Sequence, residues 1–335
     1  MSVHPADSPA ADLLEQALVE VKRVIVGQDH MVERMLVCLL ARGHCLLEGV
    51  PGVAKTLAVE TLARVVGGSF VRLQFTPDLV PADIIGTRIY RQSTEQFDVE
   101  LGPVFANFVL VDEINRAPAK VQSALLEVMA ERHVSIGGET HAVPTPFLVM
   151  ATQNPIESEG VYPLPEAQRD RFLMKVDVGY PTASEELEIV HRMSVHPPVA
   201  HPVLDPQRLV TLQSVTDDVF VHHAIAEYAV RLVFATREPA QYGRDDLGSV
   251  IAFGGSPRAT LGLVASARAL AVLRGRDYVL PADVRDVATD VLQHRIVLSF
   301  EALADGVDVR DVVRDVIAAV AQPTLAPRET EERTA

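Results

Sequence analysis

The sequence predicts an α/β core, a parallel sheet between helices, followed by a smaller all-α domain. Three observations carry the prediction. The stretch Cys45–Thr56 reads as a buried strand, a glycine-bearing loop and a helix that opens with Lys-Thr. Phe108–Arg116 reads as a second buried strand that ends in the carboxylates Asp112 and Glu113. From about residue 207 to about 320 the apolar spacing is helical throughout.

The first stretch, Gly49-Val50-Pro51-Gly52-Val53-Ala54-Lys55-Thr56, has the layout of a phosphate-binding loop, G-x-x-x-x-G-K-[ST]. Ala54 stands where the second glycine is expected. Gly49 and Gly52 let backbone N–H groups curl around phosphate oxygens, because glycine adopts positive φ without a Cβ clash. The helix beginning near Lys55 and Leu57 turns free N–H groups and about half a unit of positive charge toward the same anion. Lys55 would reach the β- and γ-phosphates, and the Thr56 hydroxyl would hold Mg²⁺. A Gly-Pro turn between any strand and helix reads the same way in isolation, so the loop needs support from the rest of the chain.

That support comes about 60 residues on, where in a parallel sheet ligands sit beyond the carboxyl ends of the strands. Asp112 would hold Mg²⁺ through water, and Glu113 would orient and deprotonate an attacking water. Asn154 follows another apolar strand, 147–151, where its amide can reach a γ-phosphate or the water; taken alone it is a turn residue before Pro155.

In chain order, residues 1–11 are expected to be flexible, 12–179 to form the α/β core, 180–322 the helical domain with a proline-rich linker at about 196–207, and 323–335 a disordered tail. Two helices, about 12–26 and 30–42, precede the first strand. Residues 76–105 are too long and too punctuated by Pro77, Pro81, Gly86, Gly102 and Pro103 for a simple connection, and read as an inserted element with short extended pieces at 87–90 and 96–100. Gly137-Gly138 marks a hairpin between 133–136 and 139–143. Helices are expected at 182–195, 224–236, 258–273, 283–293 and 309–320.

Composition narrows the function. A net charge of −15 makes the chain a poor general polyanion binder, which lowers the expectation of nucleic-acid binding. The two cysteines, Cys38 and Cys45, sit in no metal-ligand pattern and fit a reducing compartment. The 11 histidines are scattered, His222-His223 reads as a surface pair, and no Cys/His cluster suggests a tightly held transition metal. No signal peptide and no run of 18 uncharged apolar residues is present, so a cytoplasmic location without a membrane span is expected.

The motifs stand in an order that resembles the MoxR family of AAA+ ATPases. The resemblance rests on Gly49–Thr56, Asp112-Glu-Ile-Asn-Arg-Ala117, Ala151-Thr-Gln-Asn-Pro155, Tyr162-Pro-Leu-Pro-Glu-Ala-Gln-Arg-Asp-Arg-Phe172 and Ser256-Pro-Arg258, and runs from about Val26 to Val320. It also accounts for Ala54, since Ala-Lys-Thr is the family's own spelling of the loop. It implies an AAA+ P-loop core, with an insertion in the second helix and a hairpin before sensor 1, and a helical lid. Lys55 and Thr56 would be Walker A, Asp112 and Glu113 Walker B, and Asn154 sensor 1. Arg171 would be an arginine finger acting on a neighbouring subunit's ATP, Arg258 sensor 2, and Val26 and Gly27 would pack the adenine. Arg169 is a weaker finger candidate, and Arg116 either senses the adjacent subunit or forms a structural ion pair. The implied activity is Mg²⁺-dependent ATP hydrolysis by a homo-oligomeric ring, a hexamer, that remodels a client protein, with von Willebrand A-domain proteins as candidate clients. A nucleic-acid motor and a chelatase-type motor subunit of the same branch are the alternatives.

Overall fold

The computed structural model describes residues 9–93, 95–155 and 160–324; the flexibility expected of the first 8 residues and of the tail from 325 lies outside the described residues. Two helices, α1 (Pro9–Val24) and α2 (Asp29–Leu40), precede β1 (Cys45–Gly49), which leads through the glycine-bearing loop into α3 (Lys55–Val66) and β2 (Phe70–Gln74). The insertion consists of α4 (Pro81–Ile85) and an antiparallel hairpin of β3 (Gly86–Arg91) with β4 (Gln96–Leu101). Then come β5 (Phe108–Asp112), α5 (Ala119–Glu131), the hairpin β6 (His133–Ile136) with β7 (Glu139–Ala142), β8 (Leu148–Gln153), α6 (Glu166–Arg169) and β9 (Met174–Val178). Both Gly137 and Gly138 have positive φ, 61° and 91°, as a two-residue hairpin turn requires.

The five-stranded sheet runs β2-β5-β8-β1-β9, with every neighbouring pair parallel. Its inner strands β5 and β8 are apolar on both faces because both are covered, whereas the edge strands β2 and β9 carry polar residues on one face. Leu47, Leu110 and Met150 face one hydrophobic cluster, while Leu46, Val109, Val111 and Val149 face another, the alternation that a pleated strand imposes. The parallel arrangement aligns the carboxyl ends of β1, β5 and β8, where the loop, the two acidic residues and Asn154 emerge.

The C-terminal region holds α7 (Ala183–Met193), α8 (Pro206–Asp217), α9 (His223–Arg237), β10 (Ile251–Phe253), α10 (Pro257–Leu273), α11 (Pro281–Leu292), β11 (Val297–Leu298), α12 (Phe300–Ala304) and α13 (Val309–Ala319). Its apolar faces do not form a separate core. Tyr228, Leu263, Val287 and Val313 belong to the same buried cluster as Leu14, Met35 and Leu47. Within this junction Arg34 of α2, 1% exposed, donates from Nε to Asp290 Oδ2 and from Nη2 to Asp286 Oδ1 of α11, each at 2.7 Å. The Gln213 amide of α8 donates to Leu39 O at 2.7 Å.

Thr182 caps α7, accepting from Glu185 N while the Glu185 carboxylate accepts from Thr182 N. Four elements differ from the periodicity. α1 starts at Pro9, three residues before Asp12. α8 begins within the stretch expected to be linker, because Asp205 caps it by accepting from Arg208 N at 2.8 Å and Pro206 occupies its first turn, where no N–H is needed. β10 and β11 form a two-stranded antiparallel pair inside the helical region. Among the described residues no helix is long and apolar enough to cross a membrane.

Candidate active site

The sharp return of the loop after β1 brings its residues to one cleft of about 400 Å³, lined by Pro51, Gly52, Ala54, Lys55, Thr56 and Leu57 with Asp112, Glu113 and Asn154. Gly49 has no room for a side chain, since a Cβ would lie 2.3 Å from Val178 O. Gly52 has φ +83° and open space around it. Ala54, at the start of α3, is left-handed at φ 63°. Val53 is buried beneath the loop. Lys55 Nζ donates to Gly49 O and, at 3.4 Å, to Gln153 O, so the ammonium is held at the cleft mouth by carbonyls of β1 and β8. Partial burial pulls its pKa below the ordinary lysine value, while Asp112, Glu48 and Glu113 oppose that shift.

The two carboxylates of the β5 terminus differ in surroundings. Asp112 is buried; its Oδ1 accepts from Thr152 Oγ1 at 3.2 Å, and its Oδ2 accepts from Arg72 Nε at 2.6 Å and lies 3.5 Å from Thr56 Oγ1. A hydroxyl and a carboxylate on one side of a cleft are the hard oxygen donors that Mg²⁺ takes. Among the described residues no group of three or more His, Cys, Asp or Glu is arranged to hold a metal, so a cation here would complete its shell with phosphate oxygens and water. Glu113 is half-buried and left-handed at φ 57°. Its backbone N donates to Thr152 Oγ1 at 3.0 Å, and its Oε2 accepts from Gln74 Nε2 at 3.0 Å and lies 3.2 Å from Arg116 Nε. The ion pair between Arg116 and Glu113 is intramolecular.

Arg72, Gln74 and Thr152 are site residues that the sequence reading missed. Arg72 and Gln74 share one face of β2, and pairing of Gln74 with Asp112 in register carries both to the carboxylates. Their signal was polar residues alternating along a strand otherwise apolar; it became readable only with β2 known to neighbour β5.

Arg171 and Arg258 do not line this cleft. They meet in a second one, of about 380 Å³, whose walls also include Arg42, Arg132, Arg295 and Asp170. Five arginines and one carboxylate, Asp170, thus line this cleft in a chain whose net charge is −15; Arg295 and Arg258 approach Asp170, and Arg42 pairs with Asp217. Val26 and Gly27 lie elsewhere again. Gly27, φ +71°, backs onto α7, where a Cβ would come 2.5 Å from Glu185 Cδ, and Gln28 Nε2 donates to Gly179 O at 3.0 Å. Arg169 ends the short helix α6.

A five-stranded parallel sheet with a phosphate loop, paired carboxylates and a polar strand-end amide, joined to a helical lid, defines an AAA-type P-loop ATPase. The family model "ATPase family associated with various cellular activities (AAA)" matches residues 44–174, and the AAA lid domain model matches 248–316. The chain is 66% identical over 322 residues to Chaperone MoxR1 of Mycobacterium tuberculosis, covering 96% of this chain and 85% of that protein. It is 33% identical to Protein MoxR of Methylorubrum extorquens, covering 97% of this chain and 99% of that one. A crystal structure of a putative ATPase from Cytophaga hutchinsonii superposes with a TM-score of 0.89 at 45% identity, covering 94% and 96% of the two chains. The chain belongs to the MoxR family of AAA ATPases.

Proposed function

We propose that this ATPase works as a homo-oligomeric ring of six subunits, with Mg²⁺, and spends ATP on remodelling, maturing or activating a client protein. The observation that carries the reading is the separation of the two clefts. The phosphate cleft supplies Lys55, Thr56, Asp112, Glu113 and Asn154 but no arginine finger, whereas Arg171 and Arg258 line a cationic cleft that lacks the phosphate loop. Each cleft is half a site, and a neighbouring copy of the chain is the simplest source of the other half.

On this reading Lys55 neutralises the β- and γ-phosphates, and Asn154 and Glu113 hold the attacking water, Glu113 taking its proton. The bond from Gln74 and the proximity of Arg116 keep the Glu113 carboxylate off the water until the site is loaded. A cation held by Thr56 and Asp112 would offset phosphate charge; Arg72, which Asp112 now accepts from, would yield that oxygen. Arg171 and Arg258 stabilise charge developing on the neighbour's nucleotide, an effect of about 10³–10⁵ in rate for a finger in related systems. Val26 and Gly27 are the proposed adenine contact.

The name of the most similar of these relatives, Chaperone MoxR1, supports protein remodelling. The exposed Tyr90 and Phe97 of the β3–β4 hairpin, ring centroids 5.2 Å apart, offer a surface for a client, with von Willebrand A-domain proteins as the first candidates. Mixing tests the shared site. Glu113→Gln protein and Arg171→Ala protein are each expected to turn over alone at a residual rate, reduced by about 10³ or more, and mixed rings to regain turnover because intact junctions form. No regain under confirmed subunit exchange refutes the shared site.

A further inference from the structure

Arg295 follows α11, faraway in sequence from Arg171, yet its guanidinium touches the backbone on both sides of that residue. It is 3% exposed at the side chain. Nε donates to Asp170 Oδ1 at 2.8 Å, Nη1 to Leu173 O at 3.0 Å and to Val291 O, and Nη2 to Phe172 O and, at 3.4 Å, to Asp170 O. Its neighbour His294 donates from Nε2 to Phe172 O at 3.0 Å. Asp170 in turn accepts from Ser256 Oγ at 2.9 Å through Oδ2, which lies 3.9 Å from Arg258 Nη1. Arg171 itself is exposed, with its N–H donating to Gln168 O at 3.2 Å.

The chemistry asks for more than filling. A buried ion pair is weak as a stabilising device, because desolvation offsets the Coulomb gain, and an apolar side chain of similar volume fills the same space without that cost. A guanidinium with all three nitrogens engaged does something an apolar residue cannot: it sets the geometry of several acceptors at once. Here the acceptors are the carbonyls of Asp170, Phe172 and Leu173 and the Asp170 carboxylate, which together define the backbone from which Arg171 projects.

We propose that Arg295 is a positioning residue for Arg171, holding the backbone of 170–173 so that the lid dictates where the finger is presented. The proposal rests on the shared-site reading for what Arg171 does, but it concerns how Arg171 is held. Arg295→Met is expected to lower kcat about 10- to 100-fold, the scale of a finger misplaced by about 1 Å, with KM for ATP changed less than about threefold. Arg295→Lys, which keeps one donor for Asp170, should recover part of the loss. The decisive comparison is the double variant: Arg171→Ala with Arg295→Met should be no slower than Arg171→Ala alone, because Arg295 acts through Arg171. In mixed rings Arg295→Met should regain turnover with Glu113→Gln protein and not with Arg171→Ala protein, the behaviour of a finger defect. Multiplying effects in the double variant, or regained turnover with Arg171→Ala protein, overturns the proposal. Should Arg295→Met fail to fold, Asp170→Asn takes its place in the same cycle. If the pair Arg171→Ala and Glu113→Gln never regains turnover, the shared site falls, while the double variant, measured within one polypeptide, still decides Arg295.

Discussion

Two residues of the nucleotide site carry backbone conformations that L side chains adopt at a cost. Ala54, φ 63°, is where the loop motif has glycine, and Glu113, φ 57°, turns the chain at the end of β5. A left-handed alanine costs about 1–2 kcal/mol, while a glycine in its place raises the entropy of the unfolded chain by about 0.4–1 kcal/mol. Relief matches or exceeds loss, so Ala54→Gly is expected to raise the unfolding free energy by up to about 1.6 kcal/mol and to keep ATP turnover; denaturant unfolding and an ATPase assay check both. The residue types of the loop were legible because phosphate chemistry selects them wherever they occur. Arg72, Gln74 and Thr152 were not, because nothing in a lone strand says which strand lies beside it. For the same reason Arg171 and Arg258 could be recognised by their motifs, but their convergence beside Asp170 and Arg295 is a fact of tertiary structure.

At the scale of elements, the strands of the α/β core and most long helices followed from the apolar pattern, whereas β10 and β11 did not, and the start of α8 was obscured by its own first residue: Pro206, among Pro197, Pro198 and Pro202, reads as linker, yet a proline in the first turn of a helix breaks no hydrogen bond. Periodicity also says nothing about Arg34, a charge in the middle of a helix whose neighbours Met35, Leu36 and Val37 are all buried. Its partners on α11, Asp286 and Asp290, come from more than 250 residues away. Removing one member of a buried ion pair strands the other. Arg34→Ala is therefore expected to destabilise the protein by about 3–5 kcal/mol, and Arg34→Met with Asp290→Leu by less than Arg34→Ala alone. Urea unfolding of the three proteins measures the difference.

For the molecule as a whole, acid stability is set in part by two imidazoles sealed in the core. His44 accepts from Val149 N through Nδ1 at 3.0 Å and donates from Nε2 to Met129 O at 3.2 Å, an arrangement only the neutral ring can make. Burial, then the nearby Arg132 charge, pushes its pKa down to about 3. Burial likewise holds His294 well below the ordinary histidine value, with Arg295, Lys175 and Arg169 adding to the shift and the bond to Phe172 O opposing it. Between the unfolded value near 6.5 and these depressed values the unfolded chain binds more protons than the folded one, so this stability is whole above about pH 6.5 and is lost as pH falls. Each ring is expected to take away about 1.4 kcal/mol per pH unit below that point. Unfolding free energies measured from pH 7 to pH 5 should fall accordingly, and His44→Gln should make the slope shallower.

The continuity of the core between α1, α2 and the lid helices has a consequence for anyone who would treat the lid as a module. Leu14 and Met35 from the start of the chain pack in one cluster with Leu263 and Val313 from its end, and Arg34 and Gln213 fasten the two across it. A chimera cut near residue 180 would join foreign surfaces across one continuous buried cluster. Grafting a relative's lid would therefore also change what α1 and α2 pack against, and its N-terminal helix pair is the first candidate to carry over with it.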